Sequence, residues 1–211
     1  MIHRAFDILG NIAIVNFSKD AKATEKRRFA QKILKENEAV KTILEKSGKF
    51  KGRLRKMKTK FLAGEKTKEV LYKENGCVFR FNIDSSYFSP RLSNERKEIA
   101  EKIRKGDEVL VMFAGVAPYS IVIAKNSKCK KVYSNEINRE ANKYAKLNIE
   151  LNNLKNKIEL LSGDIKRVAV DLKKKKFDVI IMPRPQLKET FLKEAFALSK
   201  KGTRIFYYDF C

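Results

Sequence analysis

The fold of this chain is decided by the stretch EVLVMFAGVAP at residues 108–118. Its mostly apolar first part predicts a buried strand from Glu108 to Phe113. Gly115 follows in a turn, and a helix is predicted from Pro118 to Lys125. A strand that passes through a glycine turn into a helix is typical of an open parallel α/β sheet, in which ligands bind at the carboxyl ends of the strands.

Strands and helices continue to alternate around this stretch. Because the strands are apolar and short, we expect them to be buried in a parallel sheet. The predicted elements are a helix at Glu95–Ile103, a strand at Lys131–Glu136, a helix at Arg139–Asn152, and strands at Ile158–Leu161, Phe177–Met182 and Thr203–Phe210. Residues 85–211 therefore predict an α/β, Rossmann-like domain.

The N-terminal part, residues 1–84, has a different pattern and predicts a small α+β domain. Ile12–Phe17 is predicted as a strand after a glycine turn. Apolar residues recur near the helical period from Thr24 to Lys46, which predicts one long helix. A β-hairpin is expected around the turn at residues 74–76.

The charge of the chain favours a polyanionic partner. Lys and Arg number 48 against 25 Asp and Glu, so the formal net charge is +23. Neutralised phosphates release counterions, and this favours nucleic acid as the partner. A lysine-rich proteome is the alternative explanation of the same surplus. Since no apolar run is long enough for a membrane helix and no signal-peptide pattern is present, we expect a cytoplasmic protein without a membrane partner.

Cysteine and histidine usage argues against several kinds of chemistry. Cys77, Cys129 and Cys211 are widely spaced and form no CxxC pair, so neither a zinc site nor a disulfide framework is expected. His3 is the only histidine, so catalysis by a serine or cysteine nucleophile that a histidine activates is disfavoured. We therefore expect no metal and acid–base chemistry that uses carboxylates, lysines or tyrosines.

Three features in strand order predict a nucleoside cofactor. Gly115 allows the backbone to approach a ligand closely. Glu136, 21 residues later at the end of the second strand, is placed to bind the ribose hydroxyls. Asp164, after the third strand, is placed to meet an adenine amino group. Each is also ordinary alone, as a turn glycine or a strand-end acid. GxGxxG and P-loop patterns are missing, which favours a cofactor without phosphates, commonly S-adenosylmethionine.

Two segments carry a resemblance to a known family. YFSPRLSNER at residues 87–96 and VMFAGVAPYSI at residues 111–121 resemble the archaeal and eukaryotic tRNA (guanine-37, N1) methyltransferase family. FDILGNIAI at residues 6–14 and KENGC at residues 73–77 extend this resemblance over nearly the whole chain. It implies a class I methyltransferase domain, S-adenosylmethionine as the cofactor, and the anticodon arm of tRNA, at position 37, as the partner.

The resemblance also implies roles for individual residues. Glu95 matches the proposed general base that removes the guanine N1 proton, Arg55 matches an arginine that steadies O6, and Tyr87 matches a tyrosine of the active-site wall. Glu95 could equally complement a helix dipole, and Arg55 could belong to a solvated basic strip. The implied cofactor contacts are Arg96, Phe113, Gly115, Glu136, Ile137, Asp164, Ile165 and Pro183.

Departures from the family pattern leave alternatives open. Val111 replaces an aspartate of the family, and Pro183 replaces an asparagine whose amide serves N6-adenine chemistry, so that chemistry is disfavoured. Pro183 with Glu136 resembles the archaeal branch that also methylates C7 of 4-demethylwyosine. A basic RNA-binding protein with a degenerate cofactor fold is the alternative of another class. A 5-methylcytosine enzyme needs a nucleophilic cysteine near the fourth strand. That segment contains no cysteine, so this class is excluded.

The ends of the chain carry two further expectations. The chain has no room for the N-terminal domain with which fully elaborated relatives grip the tRNA elbow, so we expect recognition centred on the anticodon arm. The last predicted strand reaches the C-terminus and leaves a sheet edge open to pairing. A truncated chain, a split gene and a homodimer through this edge are the interpretations that stay open.

Overall fold

The computed structural model describes residues 5–18, 20–48, 57–183 and 189–208. The chain divides into two compact units, one of Met1–Lys73 with Phe79–Tyr87 and one of Glu74–Val78 with Phe88–Cys211. The predicted boundary between residues 84 and 85 stays a prediction, because a β-hairpin contributes residues to both units.

The first unit is a small α+β module. Its four-stranded sheet has the order β1-β2-β3-β4, with β2 and β3 parallel and the two outer pairs antiparallel. One helix connects the two parallel strands, and a separate two-stranded hairpin, β5-β6, follows. The elements are β1 (Ala5–Leu9), β2 (Ile12–Asn16), α1 (Ala23–Glu36), β3 (Thr42–Lys46), β4 (Thr59–Gly64), β5 (Glu69–Glu74) and β6 (Cys77–Asn82).

The predicted helix from Thr24 to Lys46 is correct only for its first part. Helix α1 ends at Glu36, and Thr42–Lys46 forms β3, paired with β2 on one side and β4 on the other. Ile43 and Leu44 are both fully buried. A short apolar run fits either period, and here pairing with two neighbouring strands overrides the helical spacing.

Gly10 lies in the turn between β1 and β2, where the backbone of another segment leaves no room for a side chain. Its φ is +57°, and a Cβ would fall on the carbonyl oxygen of Leu71. We expect Gly10→Ala to lower the free energy of unfolding by about 2–3 kcal/mol, from backbone strain and overpacking together. Urea denaturation followed by circular dichroism measures this loss.

Two other glycines supply controls for this prediction. Gly76 has a φ of +72° and open space around it, whereas Gly48 has open space and no positive φ. Alanine should therefore cost about 1 kcal/mol at residue 76 and about zero at residue 48. Equal losses at all three positions would show that the Leu71 carbonyl is not the cause.

The second unit contains a five-stranded parallel sheet of order β11-β10-β7-β8-β9. Chain order reverses between β7 and β10, which makes a topological switch point at the carboxyl ends of these strands. The predicted α/β, Rossmann-like fold is confirmed. After a 3-10 turn at Pro90–Leu92, the elements are α2 (Ser93–Glu101), β7 (Glu108–Val111), α3 (Pro118–Asn126), β8 (Lys131–Glu136), α4 (Arg139–Leu151), β9 (Ile158–Ser162), α5 (Ile165–Asp171), β10 (Phe177–Met182), α6 (Leu192–Ala197) and β11 (Ser199–Tyr207).

The central strands β7 and β10 form the core of this unit. Val109–Met112 and Val179–Met182 are 0% exposed, as expected for strands covered on both faces. The last strand begins earlier than predicted, at Ser199 instead of Thr203, and ends at Tyr207. Tyr208 follows the strand, and its backbone N–H donates to the carbonyl of Met182 at 3.4 Å.

Candidate functional site

The turn after β7 has an unusual backbone. Phe113, Gly115 and Ala117 have φ values of 61°, 59° and 67°, although non-glycine residues seldom adopt positive φ and do so most often at functional sites. The turn is stabilised by the neighbouring strand β8, because the N–H of Ala114 donates to the carbonyl of Asn135 at 2.8 Å. The buried side-chain amide of Asn148, on α4, donates to the carbonyl of Val116 at 3.2 Å.

Glu136 ends β8 beside this turn. Its carboxylate accepts the backbone N–H of Gly115 at 2.7 Å and that of Asn138 at 2.7 Å. The two predicted cofactor residues Gly115 and Glu136 are thus in direct contact. Because each carboxylate oxygen can accept more than one hydrogen bond, this arrangement orients Glu136 and is compatible with further binding of hydroxyl groups.

Asp164 follows β9 and caps the next helix. Its Oδ1 accepts the N–H of Lys166 at 3.0 Å, and the next residue, Ile165, is buried. The amide of Asn135 donates to the carbonyls of Leu161 and Gly163 at 2.7 and 3.0 Å. This connects the end of β8 to the end of β9, so Glu136, the last residue of β8, and Asp164, which follows β9, lie at the same edge of the sheet.

The other predicted cofactor contacts lie around the same edge. Phe113 is half-buried and packs edge-on against Phe191, with ring centroids 5.1 Å apart. Ile137 is half-buried directly after Glu136, and Pro183 is half-buried directly after β10. Phe191 was not predicted, and its position before a short helix offers no motif that could have shown it.

Glu95 lies in the first turn of α2 and accepts a hydrogen bond from the hydroxyl of Tyr208. Helix α2 packs against α3, the helix that follows the glycine turn. Tyr208 is bonded through its backbone to Met182, next to Pro183. These contacts bring the predicted base to the carboxyl ends of the central strands. The contact of Tyr208 with Glu95 was not predicted from the sequence.

Tyr119, in the first turn of α3, packs next to Tyr208 with ring centroids 6.1 Å apart. It is 3% exposed. Burial raises the pKa of Tyr119 to about 12. Burial also raises the pKa of Tyr208, to which the hydrogen bond to Glu95 adds. Both phenols therefore stay protonated at neutral pH.

Arg96, next to Glu95, forms a buried ion pair with Glu74. Its Nε and one terminal nitrogen donate to the two carboxylate oxygens of Glu74 at 2.5 and 2.6 Å, and the side chains are 1% and 3% exposed. The guanidinium also lies over the rings of Phe88 and Tyr119, at 5.1 and 5.7 Å from their centroids. These contacts support a structural role for Arg96, and its assignment as a cofactor contact stays a prediction.

The remaining predicted catalytic residues are placed differently. Tyr87 is half-buried in the first unit, and its role stays a prediction. Arg55 lies outside the described residues. Within the described ranges, no group of three or more His, Cys, Asp or Glu side chains could hold a metal ion. None of the helices described there is long and apolar enough to cross a membrane.

Comparison with protein families and curated proteins gives consistent matches. Residues 70–211 match the TRM5/TYW2 methyltransferase domain, and residues 1–67 match the TYW2 N-terminal domain. The tRNA (guanine(37)-N(1))-methyltransferase Trm5b of Pyrococcus abyssi is 36% identical over 206 residues, which are 98% of this chain and 60% of that protein. The tRNA (guanine(37)-N(1))/4-demethylwyosine(37)-methyltransferase Taw22 of Nanoarchaeum equitans is 44% identical over 148 residues, which are 70% of this chain and 48% of that protein.

Solved structures give the same picture. The protein in a complex of aTrm5 with tRNALeu superposes with a TM-score of 0.85 at 32% identity, covering 97% of this chain and 59% of that one. TYW2 of M. jannaschii, crystallised with AdoMet, superposes with a TM-score of 0.67 at 25% identity, covering 93% of this chain and 72% of that one. The chain thus spans about half to 60% of the length of the curated relatives named above.

Proposed function

Because the chain belongs to the TRM5/TYW2 methyltransferase domain family, we propose that it transfers the methyl group of S-adenosylmethionine to N1 of guanine 37 in tRNA. The family resemblance predicted from residues 87–96 and 111–121 is confirmed by the match over residues 70–211. One observation carries the proposal. The second unit contains both a candidate nucleoside-binding site and a candidate base. In the first, the Glu136 carboxylate accepts the N–H of Gly115. The base is Glu95, whose partner Tyr208 is hydrogen-bonded through its backbone to Met182 at the end of β10.

The cofactor assignment is supported by the edge that follows β7, β8 and β9. Glu136 is oriented by two backbone N–H groups and is suited to accept hydrogen bonds from the ribose hydroxyls. Asp164 follows the adjacent strand and is suited to the adenine amino group. The crystallised TYW2 relative binds AdoMet, which is the cofactor that we assign here.

The reaction assigned to this site requires few groups. Guanine N1 is a poor nucleophile until it loses its proton, so a carboxylate within reach of N1 raises its reactivity. We assign this role to Glu95, and we assign to Arg55 the stabilisation of negative charge on O6. The sulfonium carries an activated methyl group, and alignment of that methyl group with N1 supplies much of the remaining rate.

The tRNA partner is supported by charge and by the relatives. The net charge of +23 favours a phosphate backbone, and a solved relative is bound to tRNALeu. A base in the anticodon loop can be unstacked at low cost. We place the protein in the cytoplasm, where it would meet tRNA.

Removal of the Glu136 carboxylate tests the cofactor site. We expect Glu136→Ala to weaken S-adenosylmethionine binding about 100-fold, since it removes charged acceptors and releases the N–H of Gly115. Isothermal titration calorimetry measures the dissociation constant. Glu140→Ala is the matched control, because Glu140 lies on the next helix in an exposed pair with Lys143, and it should bind the cofactor like the parent.

Methyl transfer to defined transcripts tests the proposed reaction. Labelled S-adenosylmethionine is incubated with tRNA that carries G37 and with the same tRNA carrying A37. Label should appear only in the first, and nuclease digestion should place it on N1 of guanine 37. Equal labelling of both transcripts would overturn the target assignment. Absence of calorimetric heat with the cofactor would instead favour the RNA-binding protein with a degenerate cofactor fold.

A second activity, C7 methylation of 4-demethylwyosine, is favoured by one observation. Taw22, named for both reactions, is 44% identical over 148 residues. We propose this second activity for the same site, with Pro183 in the place where an asparagine would otherwise face the base. The test is incubation with tRNA-Phe that carries 4-demethylwyosine at position 37. Absence of the C7-methylated product, in a sample that methylates G37, would limit the enzyme to N1.

A further inference from the structure

We propose that Tyr208 is a positioning residue for catalysis, whose hydroxyl holds the Glu95 carboxylate in the orientation that a base requires. This inference rests on the proposed function, because it assigns to Tyr208 a part in proton removal from guanine N1. Tyr208 is distant from Glu95 in sequence, and no motif links the two residues.

The backbone of Tyr208 is set by the parallel sheet. The residue follows β11 directly, and its N–H donates to the carbonyl of Met182 at the end of β10. Strands β10 and β11 pair in parallel up to Met182 and Tyr207. The backbone of Tyr208 is therefore held by the sheet, and a side chain on such a rigid element can position a catalytic group precisely.

The Tyr208 ring is half-buried and packs beside the ring of Tyr119, 6.1 Å between centroids. Its hydroxyl donates to Oε1 of Glu95. Burial and this hydrogen bond raise the pKa of Tyr208, so the phenol remains a proton donor across the working range of an enzyme.

The residue next to Glu95 is fixed by a buried ion pair. Arg96 is 1% exposed and is paired with Glu74 through two hydrogen bonds of 2.5 and 2.6 Å. This pair anchors the first turn of α2, from which the Glu95 side chain reaches Tyr208. Oε1 is engaged by Tyr208, and we assign Oε2 as the oxygen that receives the guanine proton.

The proposed step is balanced with the groups named. The N1–H bond of guanine breaks and its proton goes to Oε2 of Glu95, while the N1 electron pair forms a bond to the methyl carbon. The bond between that carbon and sulfur breaks, and its electrons neutralise the sulfonium to give S-adenosylhomocysteine. Tyr208 keeps its own proton throughout and acts only through Glu95.

Tyr208 donates to the Glu95 carboxylate, so its hydroxyl is the group that a substitution should target.

Tyr208→Phe tests the inference, since it keeps the ring and removes the hydroxyl. We expect kcat to fall about tenfold, the size of one hydrogen bond to a charged group, with little change in KM for cofactor or tRNA. Tyr207→Phe is the matched control, because Tyr207 packs on the core of the sheet, and its kcat should match the parent.

A fluorinated tyrosine at residue 208 keeps the hydroxyl that phenylalanine lacks. 3-Fluorotyrosine retains both the ring and the donor, so kcat should stay within about twofold of the parent. It also keeps the fold if the phenylalanine variant proves unstable. A packing role for Tyr208 predicts an unchanged kcat in both variants, and that result would overturn the inference.

The carbon-13 resonance of the Glu95 carboxyl separates this inference from the proposed function. The resonance is assigned by its loss in Glu95→Gln, and its chemical shift at one pH is compared between the parent and Tyr208→Phe. A changed chemical shift in protein that does not methylate G37 would support the contact while the proposed reaction fails. Equal chemical shifts in protein that does methylate G37 would overturn the role of Tyr208 alone.

Discussion

Glu95→Ala should lower the rate of methyl transfer to tRNA about 100- to 1,000-fold, because general base catalysis contributes on this scale. The carboxylate of Glu95 lies at the start of α2 and accepts the Tyr208 hydroxyl. Alanine removes the proton acceptor but leaves the hydrogen bond between Glu136 and the N–H of Gly115 in place. We therefore expect kcat to fall while the dissociation constant of S-adenosylmethionine stays within about twofold of the parent. Single-turnover transfer and calorimetry measure the two quantities.

Glu98→Ala is the control for this loss. Glu98 lies on the same helix and is exposed, so its removal changes the charge of α2 by the same amount without touching Tyr208. It should methylate tRNA at the parent rate. If Glu95→Ala were as fast as the parent, Glu95 would not be the base, and the helix-dipole interpretation of this residue would be favoured instead.

Glu74→Gln should lower the free energy of unfolding by about 3–5 kcal/mol, because it leaves the Arg96 charge buried without its partner. Glu74 and Arg96 have side chains only 3% and 1% exposed, so water cannot replace the lost carboxylate. Glutamine keeps the shape and one acceptor, which isolates the charge as the cause. Urea denaturation of the parent and the variant gives the difference.

Two further variants make this prediction specific. Glu69→Gln removes a carboxylate from a pair with Arg80 whose side chains are 37% and 42% exposed, and it should cost about 1 kcal/mol or less. Replacing Glu74 and Arg96 together with methionine should recover much of the stability, since no buried charge is left. A double variant as unstable as Glu74→Gln would show that lost packing, not the unpaired charge, is the cause.

The architecture of the second unit could be predicted well from local patterns. The apolar strands β7, β8, β9 and β10 were each predicted within a few residues, because a buried parallel strand is a short apolar run between turn signals. Gly115 and Glu136 were assigned to one site from their order along the chain, and they are bonded at 2.7 Å. Parallel strands bring their carboxyl ends to one edge, so strand order alone places such residues together.

The first unit was predicted less well. Residues 42–46 continue the helical spacing of α1, yet they form β3 between two other strands. Apolar spacing over five residues does not distinguish a helix from a strand, and strand pairing decides the outcome through neighbours that are not visible locally. The β5-β6 hairpin was predicted from its turn, but the role of Glu74 at the end of β5 was not.

The sequence by itself determined the strand–turn–helix at residues 108–126. It also showed that the glycine turn lacks a phosphate-binding pattern, and it placed acids at the ends of β8 and β9. These are local properties, because they depend on composition and spacing within a few tens of residues. Only the tertiary structure decided that Tyr208 donates to Glu95 and that Glu74 neutralises Arg96. Such contacts join residues that are far apart in the chain and leave no periodicity. Their strength comes from burial, which the packing of the whole unit creates.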